Sequence, residues 1–166
     1  MMIMEDLTQE GYKQLDRLGN KLTIDQLQNV VSHLGDALNS VHNAGYIHAD
    51  LKPANIMINS EGIVKLCDFG IAEKLSQDFR ETRGTFPYMA PETLPDIDYN
   101  GRIIDPEHQS PVQIKTDVYA MGMVVYEMLL GKNAIAVQMG GEIYDRAINQ
   151  GRNNQAVLNM IRVIKL

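Results

Sequence analysis

A carboxylate, an ammonium and a carboxamide fall within six residues of one another in the run Tyr46-Ile47-His48-Ala49-Asp50-Leu51-Lys52-Pro53-Ala54-Asn55. Asp50 can accept or orient the proton of an attacking hydroxyl, and Lys52, two residues on, reaches the same space to neutralise a moving anion. Asn55 offers an amide oxygen, and thirteen residues later Asp68-Phe69-Gly70 offers a carboxylate. Two such oxygens suit magnesium, which keeps several waters and takes one or two protein groups beside phosphates. These residue types can together handle a phosphoryl group, whose transfer depends on positioning and charge neutralisation. His48 reads as a scaffold residue that holds the loop, not as a proton shuttle. Ala90-Pro91-Glu92 follows further on. Each piece alone is weak; the order and spacing carry the signal.

Several elements must bring these groups together. Thr23 to Ala44 reads as a helix with Ile24, Leu27, Val31, Leu34, Leu38 and Val41 on one apolar stripe. Thr23 with Gln26 makes a capping-box pattern, and Gly45 suits the position after the helix. His33 and His42 fall off the stripe and read as solvated surface residues rather than metal ligands. Pro53 ends any helix, so Ile56-Met57-Ile58 reads as a short strand, Asn59 to Gly62 as a turn, and Ile63 to Cys67 as the return strand. That hairpin carries Asp68 back to the neighbourhood of Asn55. Met1 to Leu7 reads as a short apolar strand running into an acidic turn, and Ile71 to Met89 as a long polar loop. The stretch between Glu92 and Asp117, with Pro95, Pro106, Pro111 and His108, reads as a surface insertion whose role is not legible. Asp117 to Leu130 is apolar on all sides, which predicts a buried core helix with Asp117 at its start and Gly131 closing it. Gly122 within it predicts close packing. Weaker helical patterns fill Glu142 to Leu166. The fold class expected is mainly α with a small β-hairpin.

At 166 residues, 45% hydrophobic and 22% charged, the chain fits one globular domain. A net charge of -6 argues against a nucleic-acid binder, which needs clustered Lys and Arg. The single cysteine, Cys67, cannot form an internal disulfide and is consistent with a reducing compartment. No stretch approaches the ~20 apolar residues that span a bilayer. Met1-Met2-Ile3-Met4 is cut off by Glu5-Asp6 and lacks a basic leader, so it does not read as a signal peptide. A soluble cytoplasmic protein without membrane association is the expectation.

The His48 loop, the Asp68-Phe69-Gly70 triplet and Ala90-Pro91-Glu92 resemble the catalytic loop, metal-binding triplet and activation-segment end of the eukaryotic-type Ser/Thr protein kinases, with Ala49 where many members carry Arg. Gly84-Thr85-Phe86-Pro87-Tyr88-Met89-Ala90-Pro91-Glu92 looks like the Ser/Thr version of that segment's close. The resemblance runs through most of the chain. It implies a protein-kinase-like C-lobe (α+β), in which 1–7 is the hinge strand and 8–166 the large lobe of a truncated kinase domain. It further implies ATP and magnesium as cofactors and a protein Ser or Thr hydroxyl as acceptor. Asp50, Lys52 and Thr85 are then catalytic, with Thr85 touching both of the others, and Asn55 and Asp68 hold the metal. Glu5 and Leu7 face the adenine edge with their backbone, Met4 stands at the gatekeeper position, and Met57 either paves the adenine floor or fills the core. Asp117 accepts hydrogen bonds from the catalytic-loop backbone, and Arg152 or Arg162 pairs with Glu92. Ala49 removes the guanidinium partner of a phosphate on Thr82 or Ser76, so activation-loop phosphorylation is expected to matter less.

No G-x-G-x-x-G loop and no V-A-I-K-like strand occur in these residues, so the small lobe is not recognisable. An open ATP face with Met2, Met4 and Met57 invites a covering partner. The alternatives are a pseudokinase or binding module that uses the C-lobe surface, or a half-enzyme completed by a partner chain. A small-molecule phosphotransferase fits the Leu51-Lys52-Pro53 run and Ala90-Pro91-Glu92 poorly.

Overall fold

The computed structural model describes residues 7–18, 22–77, 84–94, 96–97, 103–105 and 110–131. The expectations placed on Met2, Met4, Glu5, Thr82, Pro95, Pro106, His108, Arg152 and Arg162 lie outside them, as does the helical tail.

Helix α1 covers Ile24–Asn43. Its start is fixed reciprocally: the Thr23 hydroxyl accepts from the Gln26 amide at 3.2 Å, and the Gln26 side chain accepts from the Thr23 amide at 2.9 Å. Gly45 takes a left-handed φ of 83° just past its end, where a Cβ would be strained. The buried residues are Leu27, Val30, Leu34 and Leu38. The expected stripe is thereby corrected. Ile24 is 72% exposed and Val31 and Val41 are half-buried, because the layer packed on α1 covers it from Leu27 onward and leaves the first turn outside.

The expected hairpin is present as β3 (Ile56–Ile58) and β4 (Val64–Leu66), numbered after β1 (Lys13–Gln14) and β2 (Tyr46–Ile47). Asn59 builds the turn, its side chain accepting from the amides of Glu61 and Ile63. The sheet is larger than a hairpin. β1 pairs antiparallel with β3, Gln14 opposite Met57, giving the order β1-β3-β4. Two residues are too short for a period-2 pattern, so nothing in the sequence announced β1. β2 pairs with β5 (Glu73–Lys74), which sits inside the stretch read as structureless loop. β6 (Asp96–Ile97) and β7 (Ile103–Asp105) pair within the presumed insertion.

Helix α2 covers Ile114–Leu130, three residues earlier than expected. Gln113 is its N-cap residue, and its carbonyl accepts from the Thr116 amide and hydroxyl. Asp117 is therefore a helical residue and not the cap. The helix is also less enclosed than its apolar composition suggested. Its buried stripe is Asp117, Ala120, Val124 and Glu127, whereas Val118 is 58% exposed and Leu129 and Leu130 are exposed. Gly122 lies off the stripe with open space where a Cβ would stand, which corrects the close packing expected there.

One core joins these parts: Leu15, Val30, Leu34, Leu38, Leu51, Ile56, Ile58, Val64, Ala120 and Val124. α1 lies between the sheet and α2, and Leu51 carries the catalytic-type loop into the same cluster. The two helices and the short sheets make an α+β arrangement among the described residues.

Candidate active site

β2 delivers the chain into the loop that begins at His48, which is fully buried. Asp117 of α2 grips that loop from below. Its carboxylate accepts the His48 amide at 2.9 Å and the Ala49 amide at 3.0 Å. Ala49 adopts φ 65°, an uncommon conformation for a residue with a Cβ, and the paired amides hold it there. His42 Nε2 lies 2.8 Å from the same carboxylate. His42 is thus not the solvated surface residue expected. The last turn of α1 packs on α2, and a carboxylate that accepts from three directions is well satisfied in a buried position.

His48 uses both ring nitrogens. Nδ1 accepts the Asp50 amide at 3.3 Å, so the ring hydrogen sits on Nε2, which donates to the Cys67 carbonyl at 3.1 Å. Phe69 packs against the ring with centroids 4.8 Å apart. His48 thereby ties the Asp50 loop to the Asp68 loop.

Asp50, Lys52 and Thr85 form a closed triangle. Lys52 Nζ donates to Asp50 Oδ2 at 2.7 Å and to Thr85 Oγ1 at 3.0 Å, and Thr85 Oγ1 donates to Asp50 Oδ1 at 2.8 Å. Gly84 permits this approach. Its φ is 108°, and a Cβ on it would meet the Ala49 carbonyl at 2.9 Å, closer than real Cβ atoms come. The loop's own end is fixed by the 3-10 turn Pro53–Asn55, where buried Asn55 donates Nδ2 to the Asp50 carbonyl at 2.9 Å and to Asp50 Oδ2 at 3.2 Å. Gln14 of β1 donates to the Ala54 carbonyl at 3.0 Å, an anchor with no local signal in the sequence.

With Nδ2 donating to Asp50, Oδ1 is the Asn55 atom that could face a cation. Asp68 stands beside it at the end of β4, since the Cys67 amide bonds the Asn55 carbonyl at 3.0 Å. Asp68 is exposed, with φ 62° and one long bond to Oδ1 from the Gly70 amide at 3.4 Å. An amide oxygen and a carboxylate are the oxygen donors that would suit magnesium. Among the described residues no cluster of three or more His, Cys, Asp or Glu makes an all-protein cage. Burial, and then the neighbouring Asp68 carboxylate, push the Cys67 thiol above its ordinary pKa.

Met57 is 7% exposed on β3 and stands outside the core cluster that Ile56 and Ile58 join. Leu7 sits in a turn, and its carbonyl accepts the Tyr12 amide at 3.1 Å. A second buried contact was missed entirely: Tyr88 donates its hydroxyl to Glu127 of α2. A legible signal existed, for Glu127 is a lone acid in an apolar run, ten residues from Asp117 on the same stripe. Glu92 is exposed, and it adds to burial in raising the Tyr119 pKa.

The protein kinase domain family matches residues 1–164. Citron rho-interacting kinase of Rattus norvegicus is 32% identical over 138 residues, 81% of this chain and 6% of that protein. A probable serine/threonine-protein kinase of Clostridium acetobutylicum is 31% identical over 135 residues, 79% of this chain and 19% of that protein. A cAMP-dependent protein kinase, catalytic subunit-like, of Caenorhabditis briggsae is 35% identical over 112 residues, 68% of this chain and 26% of that protein. The chain thus spans between 6% and 26% of the length of these relatives.

Proposed function

Because the chain belongs to the protein kinase family, we propose that it transfers the terminal phosphoryl of ATP to a Ser or Thr hydroxyl of a protein. What supports this most is the Asp50–Lys52–Thr85 triangle, a carboxylate and an ammonium joined by a hydroxyl at hydrogen-bonding distance. In this reading residues 8–166 make the large lobe and 1–7 the hinge strand of the domain, with Glu5 and Leu7 on the adenine edge and Met57 on the adenine floor.

The acceptor hydroxyl approaches Asp50, which orients it and takes its proton as the new oxygen–phosphorus bond forms. The bond from the γ-phosphorus to the β–γ bridging oxygen breaks, and ADP leaves with that electron pair. Lys52 balances charge on the transferred group. Thr85 fixes the rotamers of both and bounds the space that a Ser or Thr side chain enters. Asn55 and Asp68 would hold magnesium, which would supply neutralising charge to the phosphates. His48 keeps the two loops in register.

Incubation of the full chain with γ-labelled ATP, magnesium and peptides that differ only in Ser, Thr or Tyr tests the reading, run beside Asp50→Ala and Asp68→Ala. Label on Ser and Thr peptides, absent in both variants, is expected. Nucleotide binding without transfer would overturn the reading in favour of a pseudokinase or binding module. Transfer that appears only on adding a second chain would point to a half-enzyme whose open face a partner covers.

A further inference from the structure

One face of the β1-β3-β4 sheet belongs to the core and the other does not. Ile56, Ile58 and Val64 enter the core cluster, whereas Met57 stands outside it. Met57 is paired with Gln14 on one side and Lys65 on the other. Residues directly opposite in antiparallel strands project from the same face, so Gln14, Met57 and Lys65 line the non-core side together. A lysine placed on an edge strand only to block further pairing would stand out into water. Lys65 does not: its Nζ lies 4.9 Å from the centroid of the Tyr12 ring and 3.2 Å from Glu10 Oε2. β3 separates β1 from β4 by about 9–10 Å, so Lys65 and the ring next to β1 meet across the middle strand.

Glu10 and Tyr12 belong to one turn. The Tyr12 amide bonds the Leu7 carbonyl at 3.1 Å, the Gly11 amide bonds the Thr8 carbonyl at 3.2 Å, and Gly11 closes the turn at φ 78°. Residues 8–11 are exposed, and Tyr12 is the turn's buried residue. Of the two contacts that Lys65 makes with it, the ring contact is the stronger. Tyr12 is 7% exposed, whereas the Glu10 side chain is 47% exposed and water screens its pairing.

We propose that Lys65 is a positioning residue for the nucleotide: its ammonium clamps the Leu7–Tyr12 turn onto the hairpin that carries Met57, so that the adenine edge at Leu7 and the adenine floor at Met57 keep one spacing. The nucleotide's place there rests on the phosphoryl-transfer reading above. A turn held in advance spares the ligand the entropy of ordering it.

Four variants of the full chain test the clamp. Lys65→Met keeps a straight stem without the charge, and Lys65→Arg keeps a cation for the ring. Tyr12→Leu keeps an apolar plug without the ring, and Glu10→Gln removes the ion pair alone. Melting temperature, amide exchange, affinity for ATP with magnesium, and kcat at saturating ATP are read on each. In Lys65→Met and Tyr12→Leu the Gly11 and Tyr12 amides should exchange about fivefold faster, as local opening is freed. Both should bind ATP about threefold more weakly, because binding must then order the turn. Their kcat should not change, since the clamp touches none of Asp50, Lys52 and Thr85. Lys65→Arg and Glu10→Gln should stay within about twofold of wild type in every reading. Wild-type exchange and affinity in Lys65→Met overturn the proposal. So does a Lys65→Arg variant as impaired as Lys65→Met, or an affinity loss accompanied by equal speeding of the α1 amides, which marks a general loss of stability. If the wild type binds no ATP, the kinase reading fails, and exchange at Gly11 and Tyr12 still decides whether Lys65 holds the turn.

Discussion

Thr85 does two things with one oxygen, accepting from Lys52 and donating to Asp50. Removing it leaves a partly buried ammonium and carboxylate with one bond fewer each, while the Lys52–Asp50 pair itself remains. Thr85→Ser keeps the hydroxyl and is expected to hold transfer within a few-fold of wild type. Thr85→Val keeps the shape alone and should lower kcat by about 1.5–3 kcal/mol of transition-state stabilisation, the range for a hydrogen bond to a charged group. Parallel kinetics on the two variants check this, and equal loss in both would make the hydroxyl irrelevant. Cys67 gives a second expectation. Burial first and Asp68 second raise its pKa, so the rate of alkylation by iodoacetamide should rise with a midpoint above the ~8.5 of an ordinary thiol. Asp68→Asn should lower that midpoint only part of the way, because burial is the larger cause. For stability the sign is that of a raised acid: the contribution is whole below the unfolded thiol's pKa and is lost as pH rises through the folded one.

At the scale of elements, α2 is the part that most needs its polar residues. Asp117 satisfies two buried backbone amides and His42 at once. Asp117→Ala would leave two buried backbone amides and His42 without this acceptor, and should destabilise the fold by roughly 2–6 kcal/mol, at about 1–3 kcal/mol for each orphaned amide. His42→Ala leaves both amide bonds in place and should cost about 1–3 kcal/mol. Urea denaturation of both variants checks the order. For α1 the exposures make a sharper contrast: Leu34 is fully buried and Ile24 lies outside the packed layer. Leu34→Ala should cost about 2–5 kcal/mol, and Ile24→Ala within about 0.5 kcal/mol. Equal costs at the two positions would contradict the packing described.

The sequence made these elements legible to different degrees, for physical reasons. The capping box and the apolar spacing of α1 are local signals, and both its ends lie within a residue of where they were read. Ile24 misleads because periodicity tells which face is apolar, not how far the neighbouring layer reaches. β1, β2 and β5 are two residues long, and each exists only through a partner far away in the chain. His42 shows the same limit, since its partner lies 75 residues on. α2 was legible as a helix, but its apolar composition concealed that only one stripe is buried.

For the whole molecule, the loops that would do chemistry carry little rigidity of their own. α1 and the small sheet share a core with Leu51, Asp117 and Glu127 fasten two loops to one helix, and His48 ties in a third. Of the candidate site, the order of Asp50, Lys52, Asn55 and Asp68 was readable because it is carried by residue types at short spacing. The Tyr88–Glu127 contact and the approach of Gly84 to Ala49 were not, because both are created by packing. In the proposed reading Asp50 faces the acceptor through Lys52 and Thr85 and meets Asn55 only through its Nδ2, so losing the Asp50 carboxylate should impair chemistry more than nucleotide binding. Single-turnover transfer and magnesium-dependent ATP binding, measured together on wild type and Asp50→Ala, examine this. The expected result is ATP affinity within about threefold of wild type and transfer reduced at least about a hundredfold, the upper part of which reflects lost positioning. Transfer by Asp50→Ala at the wild-type rate would contradict the assignment of the site.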